Sequence, residues 1–223
     1  MKVTTDACLF GAWTAKRVWS QESGVNTILD IGTGAGLLSL MLAQQLRAAI
    51  DAIEIDKDAF EQAKENIAAS PWSDRIKVFH GDARSFHFPA QYDLIISNPP
   101  FYENELQSND PKRNLALHSH ELLLDELLQV IKSNLSFSGI FFLLLPYKRH
   151  DEIKDVFRKH DLSILQIIFV RQSVKHDYFR IIVMGKSETA EAVETSFDEI
   201  AIIEEQQYTP KFVELLKDYY LYL

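Results

Sequence analysis

The sequence is poor in the features that mark secreted and membrane proteins. Its 223 residues include one cysteine, Cys8, which excludes an internal disulfide framework and fits a reducing compartment. The longest apolar run, Gly139–Pro146, has the length of a buried strand and is far short of the roughly 18 residues that span a bilayer. The N-terminus has no basic region followed by an apolar stretch, so no signal peptide is predicted. These absences predict a cytoplasmic protein without a membrane segment.

Positive charge is also scarce, and it is unevenly distributed. The formal net charge is −9, which argues weakly against a nucleic-acid partner. Residues 1–110 carry a net charge of −6 and residues 187–223 one of −7, whereas residues 111–186 carry +4 and hold five of the seven histidines. The basic segment is either a solvated surface with a chance asymmetry or a contact area for an anionic partner. Charge alone does not decide between the two.

Short apolar runs alternate with longer segments of helical period, a pattern that predicts an α/β fold whose largely parallel sheet has helices on both faces. Seven strands are predicted: Thr27–Ile31, Ala49–Ile55, Ile76–His80, Tyr92–Ser97, Gly139–Leu145, Ser163–Val170 and Phe179–Gly185. Helices are predicted at Leu37–Leu46, Lys57–Ser70, Glu121–Leu135 and His150–His160, with a short one from about Pro210. The last two strands have no helix between them, so they are expected to form a C-terminal antiparallel pair.

The whole chain, 1–223, is predicted to be one domain. Residues 1–186 would form its core and residues 187–223 an extension that docks on that core. The polar stretch Ser187–Glu194 has the composition of a linker or turn. The tyrosines at the end of the extension, Tyr219, Tyr220 and Tyr222, could stack on bases, but packing against the body is the favoured interpretation.

A glycine-rich turn and three acids indicate a nucleoside site. The first strand ends in LDIGTGAG, Leu29–Gly36, and glycines at such a turn allow positive φ and the close approach of a ligand. Glu54, at the end of the second strand, can accept hydrogen bonds from both hydroxyls of a ribose. Asp30 precedes the glycines, where it would repel a pyrophosphate but attract an ammonium group, which favours S-adenosylmethionine over a dinucleotide. Asp82, in GDA after the third strand, could accept the adenine amino group, with the Ala83 N–H beside it.

The fourth strand ends in SNPPF, Ser97–Phe101, a corner that neither a strand nor a helix can continue. The Asn98 side-chain oxygen and the Pro99 carbonyl could each accept one N–H of a planar amino group. Such a nitrogen is a poor nucleophile, and this grip would aim its lone pair at a methyl donor without a strong base. Pro100 would make the corner rigid, and Phe101 could stack on the flat group. The alternative is an ordinary double-proline turn.

These motifs carry a resemblance to a known class of enzymes. DIGTGAG, AIEID, GDA and ISNPPF occur in the order and near the spacing of class I S-adenosylmethionine-dependent methyltransferases, which have a Rossmann-like fold. SNPPF is similar to the [DN]PP[YF] motif of enzymes that methylate adenine N6, cytosine N4 or glutamine N5. Over nearly the whole chain, Lys2–Trp13, Ala69–Ile76 and Tyr208–Leu221 resemble the YfiC-like tRNA (adenine-N6)-methyltransferases. That family modifies the adenine beside the anticodon of a valine tRNA.

The resemblance implies a role for each matching residue. Thr4, Thr5 and Asp6 would lie in a segment that lids the cofactor; Asp30, Gly32 and Gly34 would hold its methionine part, Glu54 its ribose, and Asp82 and Ala83 its adenine. Asn98, Pro99, Pro100 and Phe101 would hold the target base, with Asn98 also close to the cofactor. The basic segment supplies candidates for RNA phosphates: Lys112, Arg113, Lys148, Arg149, Arg171 and Lys175. An unpaired anticodon loop makes base flipping inexpensive.

Some expectations are negative. His118 and His120 lack the cysteines or clustered acids of a metal site, so no metal is expected, and the protein is expected to be a monomer that binds tRNA and no membrane. Members of the family usually carry further residues ahead of the KVTTD block, whereas this sequence starts almost at it. Either an RNA contact made by such a segment is absent, or the sequence is a shortened form of the protein.

Two other functions stay open. A protein glutamine-N5 methyltransferase would use a similar site on an amide, but those enzymes usually carry an N-terminal helical domain, for which there is no room before Met1. A non-catalytic RNA-binding module on the same fold is the other alternative. The intact set of Asp30, Glu54, Asp82 and Asn98 argues against it.

Overall fold

The structure is a computed structural model that describes residues 3–20, 24–99, 123–189 and 194–222. The strands in these ranges are β1 Thr27–Ile31, β2 Ala49–Glu54, β3 Ile76–His80, β4 Tyr92–Ser97, β5 Leu135–Pro146, β6 Leu162–Ser173, β7 Tyr178–Ser187, β8 Ser196–Glu204 and β9 Gln207–Tyr208. The helices are α1 Thr5–Ser20, α2 Leu37–Gln45, α3 Lys57–Ala68, α4 Leu124–Asn134, α5 His150–Lys159 and α6 Pro210–Leu216, with a 3-10 turn at Tyr147–Arg149. None of these helices is long and apolar enough to cross a membrane.

All described strands belong to one sheet, in the order β3-β2-β1-β4-β5-β7-β6-β8-β9. The pairs from β3 to β5 are parallel, and β7 runs antiparallel to both β5 and β6. The predicted Rossmann-like α/β fold, with a parallel sheet and an antiparallel pair, is confirmed. The strand count differs, because β8 and β9 extend the sheet beyond the seven predicted strands, with β8 pairing parallel to β6.

Helix α1 and strand β8 were not predicted, for opposite reasons. Ten of the sixteen residues of α1 are buried, so its sequence lacks the polar face that produces an amphipathic period. Strand β8 begins with exposed residues and has only its second half buried, so it reads as a polar segment. In both cases tertiary packing, rather than local pattern, determines the structure.

Helices cover the two faces of the sheet and enclose a core on each. Successive side chains of β4 point to opposite faces of the sheet. Leu94 and Ile96 pack with α1, α2 and α6 on one face, whereas Ile95 packs with α4 and α5 on the other. The cores include completely buried rings, such as Phe10 and Phe212 on the first face and Phe157 on the second. A sheet held from both sides places the ends of its strands firmly.

The strand order reverses between β1 and β4, since the chain runs from β1 outward to β3 and then returns to β4 beside β1. Ligands of open α/β sheets bind in the crevice at the carboxyl ends of strands at such a switch point. Ile31 of β1 is paired with Ser97 of β4, so the glycine loop and the SNPPF corner leave the sheet side by side.

Candidate cofactor and substrate site

The loop after β1 has a conformation that only glycine adopts easily. Gly32, Gly34 and Gly36 have φ of +70°, +59° and +86°, in the left-handed region. A Cβ at Gly32 would have no heavy atom within 4 Å, so backbone conformation rather than crowding accounts for that glycine. The Gly32 and Thr33 amides both donate to the Ile53 carbonyl, at 2.9 and 3.1 Å. The loop is therefore fastened to the end of β2.

Asp30 is completely buried beneath this loop. Its Oδ2 accepts hydrogen bonds from Thr33 Oγ1 at 2.6 Å, from Ser39 Oγ at 2.7 Å and from the Ser39 amide at 3.2 Å. Its Oδ1 is buried and has no partner in the described part of the chain. Burial raises the pKa of Asp30 to about 6, although the bonds from Thr33 and Ser39 oppose the rise. An unsatisfied buried acceptor at this place fits the ammonium group of a ligand.

Glu54 is 7% exposed at the end of β2. One carboxylate oxygen accepts from the Gly34 amide at 2.8 Å and the other from the Asp56 amide at 2.9 Å. Each oxygen keeps a second lone pair, so the orientation fixed by the backbone suits a vicinal diol. Glu54, predicted to bind the ribose, is therefore hydrogen-bonded directly to the glycine loop, which is predicted to hold the methionine part of the cofactor.

Asp82 and Ala83 follow β3, and the Gly81 amide donates to the Glu54 carbonyl at 3.0 Å. This bond brings Asp82 and Ala83, which are predicted to bind the adenine, next to Glu54, which is predicted to bind the ribose. The Asp82 carboxylate is held by Arg84, whose guanidinium approaches it to 2.6 Å and also contacts Glu126 of α4 at 3.2 Å. The sequence analysis did not identify either of these partners.

The segment predicted to cover the cofactor forms the start of α1. Thr4 precedes the helix and its carbonyl accepts from the Cys8 amide at 3.1 Å, while Thr5 is its first residue. Asp6 Oδ2 accepts from Arg180 Nε at 2.9 Å. Burial would raise the pKa of Asp6, but the hydrogen bonds from Thr4 and Arg180 and the charge of Arg180 hold it below its usual range. Because Arg180 pairs with Pro146 at the carboxyl end of β5, α1 begins at the same edge as the site.

At the end of β4, Ser97 is buried and donates through Oγ to the Ile31 carbonyl at 2.7 Å. This bond joins the two central strands where they leave the sheet. Asn98 follows as a partly buried residue and Pro99 as a buried one. Pro100 and Phe101 lie outside the described residues, so their predicted contacts with the base stay predictions.

The basic residues predicted to touch RNA differ in their surroundings. Arg149, like its neighbour Lys148, lies in the 3-10 turn after β5 and pairs with Glu152 at 2.7 Å. Arg171 donates to Glu199 at 2.7 Å, so part of its role is to join β6 to β8. Lys175 is exposed in the turn between β6 and β7.

All four of these residues lie at the carboxyl edge, because β6 runs parallel to β5. Lys112 and Arg113, together with His118 and His120, lie outside the described residues. In the part that the structure describes, no group of three His, Cys, Asp or Glu side chains could hold a metal ion.

The C-terminal tyrosines divide between packing and exposure. Tyr219 packs on the first core and donates to the Met41 carbonyl at 3.3 Å, and Tyr220 packs edge-on against Phe212. These two follow the favoured interpretation. Tyr222 is 91% exposed and does not pack on the body as expected.

Four polar residues of the site escaped the sequence analysis: Thr33, Ser39, Arg84 and Arg180. Thr33 and Ser39 lie within and just after the glycine motif, so their spacing from Asp30 could have suggested them as its partners. Arg84 comes two residues after Asp82, so a contact between its guanidinium and the Asp82 carboxylate could have been predicted from the sequence. Arg180 meets Asp6 across 174 residues, and no local pattern signals such a contact.

A family model and several known proteins are similar to most of this chain. The family model described as "Methyltransferase small domain" matches residues 18–162. A tRNA1(Val) (adenine(37)-N6)-methyltransferase of Flavobacterium johnsoniae is 37% identical over 226 residues, covering 99% of this chain and 93% of the relative. The enzyme of the same name from Parabacteroides distasonis is 38% identical over 224 residues, covering 99% and 91%. Among solved structures, a predicted O-methyltransferase of Agrobacterium tumefaciens has a TM-score of 0.68 at 18% identity, covering 86% of this chain and 88% of that one.

Proposed function

The chain belongs to the family of the tRNA1(Val) (adenine(37)-N6)-methyltransferases, and from this membership we propose that it transfers a methyl group from S-adenosylmethionine to N6 of an adenine in tRNA. The acceptor is adenine 37 of a valine tRNA, as the relatives' name states for them, and the protein works in the cytoplasm. The observation that carries the proposal is the pairing of Ile31 with Ser97. It sets the glycine loop and the Asn98 corner side by side at the switch point.

The residues at the first half of the site fit the cofactor. The unpartnered Oδ1 of Asp30 would accept the ammonium group, and Gly32 leaves the loop open to a close approach. Glu54 would accept the ribose hydroxyls, and Asp82 the adenine amino group. Thr4, Thr5 and Asp6 would cover the site from α1. When bound, S-adenosylmethionine supplies an electrophilic methyl group on a sulfonium.

The second half of the site works by orientation. The Asn98 side-chain oxygen and the Pro99 carbonyl accept the two N–H bonds of the adenine amino group, which directs its lone pair along the line of attack. The bond from Ser97 Oγ to the Ile31 carbonyl fixes the strand end from which Asn98 projects. A strong base is unnecessary, because the nitrogen loses its proton after the methyl group has been transferred. Pro100 and Phe101 lie outside the described residues; from the sequence, they are predicted to add rigidity and stacking.

Asn98→Ala tests this assignment. We expect the rate of adenine methylation to fall by about 10³-fold, as when a key transition-state hydrogen bond is lost, while the affinity for S-adenosylhomocysteine changes little. Mass spectrometry of nucleosides from tRNA incubated with labelled S-adenosylmethionine measures the first quantity, and calorimetry the second. Asn134→Ala is the matched control, because within the described residues the Asn134 side chain donates to the Val130 carbonyl of its own helix, α4.

Three results would contradict the proposal. Wild-type protein could leave tRNA of the cognate organism unlabelled, Asn98→Ala could keep more than a tenth of the activity, or label could enter protein instead of RNA. The last result would favour a glutamine-N5 methyltransferase, and failure to bind S-adenosylmethionine would revive the alternative of a non-catalytic RNA-binding module.

We also propose that the enzyme is a monomer, which sedimentation at 25.6 kDa would support and a larger mass would refute.

A further inference from the structure

Arg84 grips the carboxylate of Asp82 with a planar fork. Its Nε lies 2.9 Å from both oxygens and its Nη2 lies 2.6 Å from Oδ2. The Arg84 backbone amide adds a bond to Oδ1 at 2.9 Å. Two-pronged contacts of this kind fix the plane of a carboxylate as well as its position, which a lysine cannot do.

The guanidinium is itself held from the other side. Arg84 Nη1 donates to both oxygens of Glu126, at 3.3 and 3.2 Å. Glu126 is in turn fixed at the start of α4, where it accepts from the Leu123 amide at 3.1 Å. Arg84 therefore has little freedom to rotate, because two carboxylates from different elements face it.

The backbone of this turn is fixed independently of Arg84. The Gly81 amide is bound to the Glu54 carbonyl, and the amides of Ser85 and Phe86 donate to the Asp82 carbonyl at 3.1 and 3.0 Å. Phe86 also packs against Phe79 with ring centroids 5.0 Å apart. With the main chain held in this way, Arg84 acts on the orientation of the Asp82 side chain.

We propose that Arg84 is a positioning residue that sets the Asp82 carboxylate to accept the amino group of adenine, and so makes the site select adenosine over nucleosides that carry an oxo group at that position. This inference rests on the proposed function, in which Asp82 faces the adenine. A carboxylate can only accept hydrogen bonds, so it pairs with an amino group and repels an oxo group.

A purely structural role for the ion pair is a weaker explanation. The side chains of Arg84 and Asp82 are 29% and 30% exposed, and ion pairs at such sites contribute little to folding. The backbone bonds named above already hold the turn. We therefore assign the Arg84–Asp82 contact to orienting the Asp82 carboxylate rather than to stabilising the fold.

The experiment compares the Kd of S-adenosylhomocysteine with that of its inosine counterpart, in which an oxo group replaces the amino group. Calorimetry on the full chain gives the ratio of the two constants, and thermal unfolding is recorded for every variant. For the wild type we expect a preference of about 10- to 100-fold for the adenosine compound, the range of one charge-assisted hydrogen bond. Arg84→Met should reduce this preference at least fivefold. Arg84→Lys keeps the charge without the fork and should reduce it about threefold.

Arg75→Met is the matched control. Arg75 is also an arginine with several bonds, since it donates to the carbonyls of Ala43, Leu46 and Ala48 at 2.9 to 3.1 Å. Those bonds hold the end of α2, so this variant should lower the unfolding temperature and leave the preference unchanged. An unchanged preference in both Arg84 variants, or an equal loss in Arg75→Met, would overturn the inference. No RNA takes part, so a failure here is distinguishable from a failure to methylate tRNA.

Discussion

Asp30 is a single residue whose burial has a measurable consequence. The fold removes its carboxylate from water and satisfies Oδ2 three times, while Oδ1 has no partner in the described part of the chain. Burying a charged group without full compensation is costly, and the cost appears as a pKa raised to about 6 by burial. Burial of Asp30 therefore lowers folding stability but leaves Oδ1 positioned to accept a hydrogen bond from a ligand.

The sign of the pH dependence follows from this shift. The folded state keeps the Asp30 proton up to about pH 6, whereas the unfolded chain loses it near the usual value of 3.8. The folded state therefore binds more protons between these values, and this group makes the free energy of unfolding fall by roughly 3 kcal/mol as the pH rises through that window. Asp30→Asn should remove this component. Urea unfolding between pH 4 and 7 measures it, and S-adenosylhomocysteine affinity in the wild type should weaken below pH 6.

Asp74→Asn serves as the control, because Asp74 is exposed in the turn before β3. Its pH dependence should match the wild type. If Asp30→Asn also showed the same dependence as the wild type, the raised pKa would be wrong.

At the scale of elements, the C-terminal extension is built into the core. Strand β8 pairs with β6 over seven registered residues, and α6 packs its buried Phe212 and Leu216 into the core beneath α1. Phe212 is completely buried and stacks on Tyr208 at 4.7 Å between ring centroids. These contacts support the proposal that residues 1–223 unfold as one domain.

Phe212→Ala tests that proposal. The lost side chain leaves a cavity, so we expect a loss of about 3 to 5 kcal/mol in the free energy of unfolding. Circular dichroism and S-adenosylhomocysteine binding should report a single transition at the same temperature. Phe137→Ala removes a ring that is 95% exposed and should change stability by no more than about 0.5 kcal/mol. An early transition that leaves ligand binding intact would instead show a separately folding extension.

The sequence predicted those elements whose residues repeat a local pattern. All seven predicted strands are found, and β1, β3 and β4 have the predicted ends. Asp30 was recognisable because it precedes the glycine turn, and Glu54 because it stands at the end of the next strand. Helix α1 was missed because it is apolar on nearly all sides, and Arg180 because its partner lies 174 residues away. Long-range pairing of polar side chains leaves no periodic trace in a sequence.

At the scale of the whole molecule, charge is distributed unevenly along an acidic chain. The net charge is −9, yet residues 111–186 carry +4, and the described basic candidates lie where β5 and β6 end. We propose that this uneven charge attracts an anionic substrate to the edge that holds the site and so orients its approach. If so, binding should be sensitive to salt.

Lys175→Gln measures this sensitivity. The exposed ammonium of Lys175 is predicted to contact a phosphate, so its loss should weaken tRNA binding and reduce the slope of log K against log salt concentration by about 0.7 to 0.9. Filter binding between 50 and 200 mM salt, roughly the range in which such slopes are resolved, gives both values. Lys64→Gln on α3, where Lys64 pairs with Glu61, is the control. Equal slopes for Lys175→Gln and the wild type would remove Lys175 from the interface.

The fastening of the glycine loop to β2 has a consequence for the history of such enzymes. It depends on main-chain groups, namely the Gly32 and Thr33 amides on the Ile53 carbonyl and the Gly81 amide on the Glu54 carbonyl. Main-chain amides and carbonyls persist when side chains are replaced. The cofactor half of the site can therefore keep these bonds while the sequence diverges. In the proposed function, the few residues after β4 hold the acceptor. A change in that corner alone would therefore alter the acceptor and leave the cofactor half of the site intact.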